Sequence, residues 1–376
     1  MPRWQSFWSR PGPAEACQVT ALQAQSSGNP YALPRWPRCL GEPEVTGIIR
    51  DQPEDFRVQE IPLIDPSGEG VHQWLELEKR CANTNWVAEQ LAAAAGVAMR
   101  DVGFAGMKDR HGVTSQWFSV SLQEADNPEW ESWNIPDAVI IQARRHSRKL
   151  KRGALKGNRF RIVVRHLQGN VEKLKNRLDA IKSGGFPNYF GPQRFGFNGN
   201  NIGRGVHWLE HGGGLSRNKR SIYLSAVRSF LFNQVLSNRV ADGNWNRILD
   251  GEIAMLNGSQ SLFVCALPNT ELDHRCDEFD IHPTGPLPGE GGMQAEREAA
   301  QLETDSLAAY SNVIGSLQQA GLRASRRVLR LLPGSLQWEL DQQVLKLSFD
   351  LAAGAYATSL LNELVSCSES KHIPEP

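Results

Sequence analysis

A strand pattern that stops and then returns constrains this chain more than any other feature. Val45 to Arg50, Asp55 to Ile61 and Val71 to Glu78 read as strands separated by PED and DPSGEG turn chemistry. Thr114 to Val120, Ala138 to Ala143 and the alternating run around Phe160, Ile162 and Val164 continue the series. Helical periodicity then takes over in Ser221 to Ala241, where Tyr223, Val227, Phe230, Leu231 and Val235 share one broad face, and in Glu296 to Ala320. Strand alternation reappears only at Val344 to Phe349, ahead of a helix from Tyr356 to Val365. Strands at both ends with helices between them predict an α+β domain interrupted by a second, inserted domain. A length of 376 residues accommodates both.

Shorter elements fill in the outline. Thr84 is expected to N-cap a helix that runs through Ala95 and stops at Gly96. A second helix is expected from Asn170 to Ser183, with Val171, Leu174, Leu178 and Ile181 at helical spacing and Gly184 as its stop. Seven of the 22 residues in 184–205 are Gly, which argues for an irregular hinge or close-approach loop. Tyr189, Phe190, Phe195 and Phe197 lie within it beside Gln193 and Arg194. Such aromatics serve equally as stacking faces for unstacked bases or as core anchors. Residues 243–292 read as short strands among Pro/Gly turns, and residues 1 to about 40, with Trp4, Trp8 and Trp36, as an extended arm.

Formal net charge is zero, but the charges are segregated. Residues 138–171 carry ten Lys/Arg and no acid, while residues 271–305 carry ten acids and two Arg. A basic stripe on a neutral protein suits a polyanionic partner. Arg144, Arg145, Arg148, Lys149, Lys151, Arg152, Lys156, Arg159 and Arg161, with Arg194 from the Gly-rich segment, are the candidate RNA-binding residues. The alternative is a solvated cationic face, which must tolerate ten cations with no intervening acid. Phosphate contacts supply affinity and register but no base identity.

Several classes are disfavoured. The six cysteines, at 17, 39, 81, 265, 276 and 367, form no CxxC pair and have no His at ligand spacing, so a reducing cytoplasm and no zinc site are expected. The absence of HExxH and GxSxG gives little support to metal or serine chemistry. The Gly-rich segment lacks GxxxxGK[ST], leaving a nucleotide-binding enzyme without its loop. No window approaches 18 apolar residues, and the first residues have no apolar run, so neither a membrane span nor a secretory signal is expected.

What remains is one acid in a constrained loop. Asp109 sits between Lys108 and Arg110 in GFAGMKDRHGVTSQWFSV, after Gly103 and Gly106. A turn Asp that caps its own backbone is the ordinary explanation. Together with a cationic strand and aromatics, the acid suits chemistry on a nucleobase drawn from its stack and held against an aromatic face.

Five strings then carry a specific likeness: PEDFRVQEIPL (53–63), FAGMKDRHGVTSQ (104–116), RKLKRGALKGNRF (148–160), PNYFGPQRFG (187–196) and LAAGAYATSLLNELV (351–365). In order and spacing they resemble the TruD family of tRNA pseudouridine synthases, from about Glu44 to Cys367. The resemblance implies cofactor-free isomerisation of a uridine in tRNA to pseudouridine, expected at uridine 13 of the D arm, chiefly in the glutamate tRNA. It implies a pseudouridine-synthase catalytic domain (41–184 and 329–370) with mixed or antiparallel sheet and helices and an inserted α/β TRUD domain (185–328); the partly extended arm (1–40) lies outside the resemblance. A cytoplasmic monomer needing no metal is expected.

By motif matching, Asp109 falls on the family's catalytic aspartate and Phe160 on the aromatic that packs against the target base. Asn158 is expected to order the site and Lys108 to support it. Arg50 falls where many relatives carry a Lys beside the acid, keeping the charge with different donor geometry. Ala352 stands where a Pro is common in the C-terminal motif. A non-catalytic RNA-binding or remodelling protein on the same scaffold is the alternative.

Overall fold

The computed structural model describes residues 30–122, 129–267 and 269–369, so Trp4 and Trp8 of the expected arm lie outside the described residues. The chain begins with β1 (Val45–Ile49), β2 (Phe56–Pro62), β3 (His72–Arg80), α1 (Thr84–Ala94), β4 (Val102–Phe104), β5 (Val113–Ser121), β6 (Ala138–His146) and β7 (Leu155–Gly169). It continues through α2 (Val171–Gly184), β8 (Phe186–Pro187), α3 (Asn200–His211), α4 (Arg217–Ala241), β9 (Glu252–Leu256), β10 (Leu262–Cys265), α5 (Thr270–Asp277) and β11 (Ile281–Leu287). Last come α6 (Arg297–Leu307), α7 (Ser311–Gln319), β12 (Ser325–Val328), β13 (Arg330–Leu331), β14 (Gly334–Asp341), β15 (Val344–Ala352), α8 (Ala357–Leu364) and β16 (Ser366–Glu369).

The chain divides into two units. The first holds the described residues of 43–183, 332–357 and 364–376, the second those of 1–42, 184–331 and 358–363. The strand-rich ends of the sequence thus share a unit. The sequence pattern breaks the chain after 184 and 328 and treats 358–363 as continuous with the strands; the structure groups that helical piece with the second unit.

In the first unit one ten-stranded sheet runs β14-β15-β7-β2-β5-β3-β6, with β4 on β5 and β1 beside β7 and β16. Pairing is antiparallel except for β2 with β5 and β1 with β16. The fifteen-residue β7 pairs along both edges, with β15 on one side and β1 and β2 on the other, and its alternation buries Phe160, Ile162 and Val164 while Arg159 and Arg161 stay exposed. On β3, Leu75 and Leu77 pack with Val87, Ala88 and Leu91 of α1 and with Phe118 and Val120 of β5.

In the second unit β10-β9-β11-β12 form a four-stranded sheet and β8 pairs with β13. The broad face predicted for the long helix is real in α4, where Val227, Phe230 and Leu231 are fully buried.

Three expectations are corrected. The N-cap of α1 is Asn83, whose side chain accepts from the Asn85 amide; Thr84 is the first helical residue and its hydroxyl turns inward. The Gly-rich segment is not irregular to its end, because α3 starts at Asn200 and contains Gly203 and Gly205. At Gly205 a Cβ would lie 2.6 Å from Val227 Cγ2 and 2.7 Å from the Tyr223 carbonyl oxygen, so glycine here lets α3 approach α4 closely. Finally, Glu296 to Ala320 is two helices joined by a single turn at Ala308–Tyr310. Tyr310 is buried there, edge-on to Phe230 at 5.5 Å, and its hydroxyl accepts from Gln234 and donates to the Pro30 carbonyl.

Candidate active site

Antiparallel pairing across β2, β7 and β15 sets Val58, Phe160 and Phe349 in one row. Glu60, Asn158 and Leu351 occupy the next row of the same face, two residues along each strand. The ring of Phe160 stacks on Phe349 at 5.4 Å and 22° and meets Phe56 edge-on at 6.3 Å. Both geometries are favourable for aromatic pairs. Asn158 is half-buried, and its Oδ1 has no hydrogen-bond partner among the described residues.

Beside this face, β4 and β5 pair antiparallel from Val102–Val120 to Phe104–Phe118, which makes 105–112 a hairpin loop. Buried side chains hold its main chain at three points. Gln116 Nε2 donates to the Gly106 carbonyl at 3.2 Å. The Lys108 amide donates to Thr84 Oγ1 at 3.1 Å, and that hydroxyl donates to Gln116 Oε1 at 3.0 Å. Lys79 Nζ donates to the Asp109 carbonyl at 3.1 Å and to the Ala82 carbonyl at 2.7 Å. The Lys108 side chain is anchored separately, with Nζ 2.6 Å from Glu60 Oε2 and both side chains almost fully buried. Glu60 Oε1 in turn accepts from the Trp117 amide. At the far end of the loop Gly112 passes so close to the Phe56 carbonyl that a Cβ would collide with it.

Asp109 is the polar group this framework presents. Its side chain is 34% exposed, and Arg50 Nη2 lies 3.9 Å from its Oδ2. Arg50 is buried, takes a left-handed φ of 55°, and holds its guanidinium carbon 4.2 Å above the centre of the Phe56 ring. Its Nη1 donates to Glu369, the nearer of its two acids. Contact therefore runs unbroken from Asp109 through Arg50 and Phe56 to Phe160 and Phe349. Burial pushes the Lys79 ammonium from its ordinary 10.5 down to about 8; the Asp109 charge opposes this and Lys108 adds to it.

The structure brings Asp109, Arg50, Lys108, Asn158 and Phe160 into the first unit, together with nine of the ten candidate RNA-binding cations. Arg144 and Arg145 lie on β6, Arg148, Lys149, Lys151 and Arg152 on the connection to β7, and Lys156, Arg159 and Arg161 on β7. The expectation that no acid intervenes holds only along the sequence: Asp350 on β15 makes a bidentate pair with Arg159, and Asp55 does the same for Arg165. Lys149 donates to the Arg100 carbonyl, and Arg152 covers the Phe104 ring at 4.0 Å. Arg194 belongs to the second unit, where it donates to Ser225 Oγ and lies over Phe190. Of the four aromatics around it, Tyr189, Phe190 and Phe195 are buried and Phe197 is 78% exposed. Tyr189 stacks on Trp36 at 5.8 Å.

Sequence reasoning missed Lys79, Glu60, Gln116, Phe349 and Glu369, and read Thr84 only as a cap. One signal was available for Lys79: it continues the buried parity of Leu75 and Leu77 on β3.

A family model described as tRNA pseudouridine synthase D (TruD) matches residues 37–206 and 208–364. The tRNA pseudouridine synthase D of Nitrosococcus oceani is 47% identical over 333 residues, covering 87% of this chain and 93% of that protein. Its counterpart in Methylococcus capsulatus is 44% identical over 331 residues, covering 88% and 94%. A crystal structure from Methanosarcina mazei, provisionally named tRNA pseudouridine synthase D, matches with a TM-score of 0.66 at 21% identity, covering 89% of this chain and 97% of that one; it shows the fold.

Proposed function

The chain belongs to the TruD family of tRNA pseudouridine synthases, and on that premise we propose that it isomerises uridine 13 in the D arm of tRNA, chiefly the glutamate tRNA, with Asp109 as the reacting carboxylate. The enzyme is an isomerase. Its uracil must leave C1′ of the ribose, rotate and rejoin through C5, which calls for a carboxylate on the sugar side. Direct attack on C1′ and removal of a 2′ proton both use such a group.

The observation that carries the reading is the mounting of Asp109. Its main chain is fixed by Lys79, with Thr84 and Gln116 fixing the residues before it, while its carboxylate stays partly exposed beside Arg50. Preorganisation of this kind holds a reacting group where the substrate needs it. Phe160, backed by the fully buried Phe349, supplies an aromatic face with no hydroxyl, so it holds a base without carrying a proton. Asn158, with its unpartnered oxygen, and Arg50 support the site. The cations of β6, β7 and their connection bind the phosphate backbone, assisted by Arg194. The enzyme acts as a cytoplasmic monomer without cofactor or metal. Among the described residues no helix is long and apolar enough to cross a membrane.

Asp109→Asn tests the reading. Pseudouridine formation on a tRNA transcript, followed by mass-shift labelling, should vanish while tRNA binding persists; an active variant overturns the role of Asp109. Mapping pseudouridine in RNA from cells with and without the gene tests the target, and a site other than uridine 13 overturns that part. Wild-type protein that binds tRNA but forms no pseudouridine would instead be a non-catalytic RNA binder.

A further inference from the structure

We propose that Lys79 is a positioning residue for the reaction at Asp109, its ammonium fixing the main chain of the acid against the segment that opens α1. The proposal rests on the reading that Asp109 is the reacting group.

Lys79 stands where an apolar side chain belongs. Along β3 the alternation places Leu75, Leu77 and Lys79 on one face, and all three are buried. A lone buried cation is costly, and structural lysines usually meet that cost with a carboxylate, as Lys108 does with Glu60. Lys79 instead donates to two main-chain carbonyls, one at Ala82 ahead of α1 and one at Asp109. Those two bonds join the segment between β3 and α1 to the loop that presents the carboxylate. The charged groups acting on the ammonium are Asp109 and Lys108 from the loop and Cys81 just past β3. Its register neighbours Thr114 on β5 and Ala138 on β6 are neutral, and α1 opens with neutral Thr84, Asn85 and Trp86.

Position and charge make separate predictions. Lys79→Met removes both donors, so the Asp109 carbonyl loses its tether. Displacing a catalytic group by about 1 Å costs about 100-fold in rate, and the loss should appear in single-turnover pseudouridine formation with tRNA affinity unchanged. Lys79→Gln keeps N–H donors but no charge. Because burial lowers the ammonium to about 8, the wild-type rate should fall above that pH relative to Lys79→Gln, whose profile should lack this limb. Cys81→Ser should leave the limb in place.

A folded Lys79→Met variant with wild-type rate overturns the proposal, as does a variant whose loss lies wholly in tRNA affinity. An identical alkaline limb in wild type and Lys79→Gln overturns the part played by the charge. Should Lys79→Met fail to fold, Lys79→Gln alone decides, through its rate and its pH profile. Asp109→Asn runs alongside. If it is active, the reading of Asp109 fails; if it is dead while Lys79→Met is unimpaired, only the role of Lys79 fails.

Discussion

Lys79, Lys108 and Glu60 beneath the hairpin loop of the first unit, and Arg239, Arg326 and Arg330 in the second, are two sets of ionic side chains withdrawn from water. They end on different things. Arg239 pairs with Glu252 at 2.7 Å, both side chains almost fully buried, and reaches the carbonyls of Asn244 and Arg247. Arg326 joins Glu303 to Thr284, and Arg330 bonds the Cys276 carbonyl beneath the Phe279 ring. Each of these arginines ties its own segment to neighbouring main chain or to an acid within the second unit. The contacts under the loop lead instead to Asp109, a third exposed. Burial of charge is common to both sets and marks neither as a site. The mark is a pinned main chain that offers one polar group outward.

Removing the group that the first set presents and one member of the second should separate the two most widely. Asp109→Asn is expected to silence the enzyme with little change in stability. Arg239→Met strands the buried Glu252 carboxylate and should cost about 3–5 kcal/mol in urea unfolding. Loss of catalysis with stability intact in the second case would erase the distinction.

A smaller effect is expected at Thr84→Val. It keeps the shape of the side chain but removes the acceptor of the Lys108 amide and the donor to Gln116. Stability should fall by about 1–3 kcal/mol, as for other buried groups left without a partner. Pseudouridine formation should fall further than that loss of folded protein explains.

The pH dependence of stability sharpens the comparison. Burial first, and then the charge of Arg330, pushes the His282 imidazole from its ordinary 6.5 down to about 4. Between those values the unfolded chain binds a proton that the folded one does not, so stability declines as pH falls through the window. Lys79 has the same sign in a different window. Its unfolded form holds the extra proton between about 8 and 10.5, so its contribution to stability grows as pH rises there. Urea titrations across pH should therefore show an acid slope that His282→Asn removes and an alkaline slope that Lys79→Met removes. If the proposal for Lys79 holds, the enzyme grows firmer over the pH range in which it slows.

Arg159→Ala should have the least effect. The partly exposed pair with Asp350 is worth about 0–1 kcal/mol. If Arg159 touches a phosphate, the slope of log affinity for tRNA against log salt should shrink by about 0.7–0.9, and an unchanged slope removes it from the RNA-binding set.

What the sequence made legible follows from how local each signal is. The alternation of Phe160, Ile162 and Val164 needed only neighbouring residues, and so did the face of α4. The loop around Asp109 was legible through its glycines and its family motif. Thr84 was misread because a threonine ahead of a helical run looks like a cap, whereas its hydroxyl is committed to Gln116, 32 residues away. Phe349 could not be told from any other apolar strand residue until β15 was laid beside β7. The acid that neutralises Arg159 is 191 residues distant, so the stripe looked more bare of acids than it is. Glycines within α3 hid a helix, and the reason for one of them, Gly205, is the nearness of α4.

The pairing of β7 with β15 also has a consequence in time. Arg159 and its partner Asp350 are separated by 191 residues, which at roughly 5–20 residues per second takes on the order of 10–40 s to synthesise. Once β7 is complete at Gly169, the nascent chain has its hairpin loop and the full length of β7, but one edge of β7 has no strand to receive until β15 follows. An unpaired edge of that kind is a template for wrong partners. Each molecule therefore crosses a hazardous stage on the ribosome, and the late arrival of Phe349 both closes that edge and completes the aromatic face.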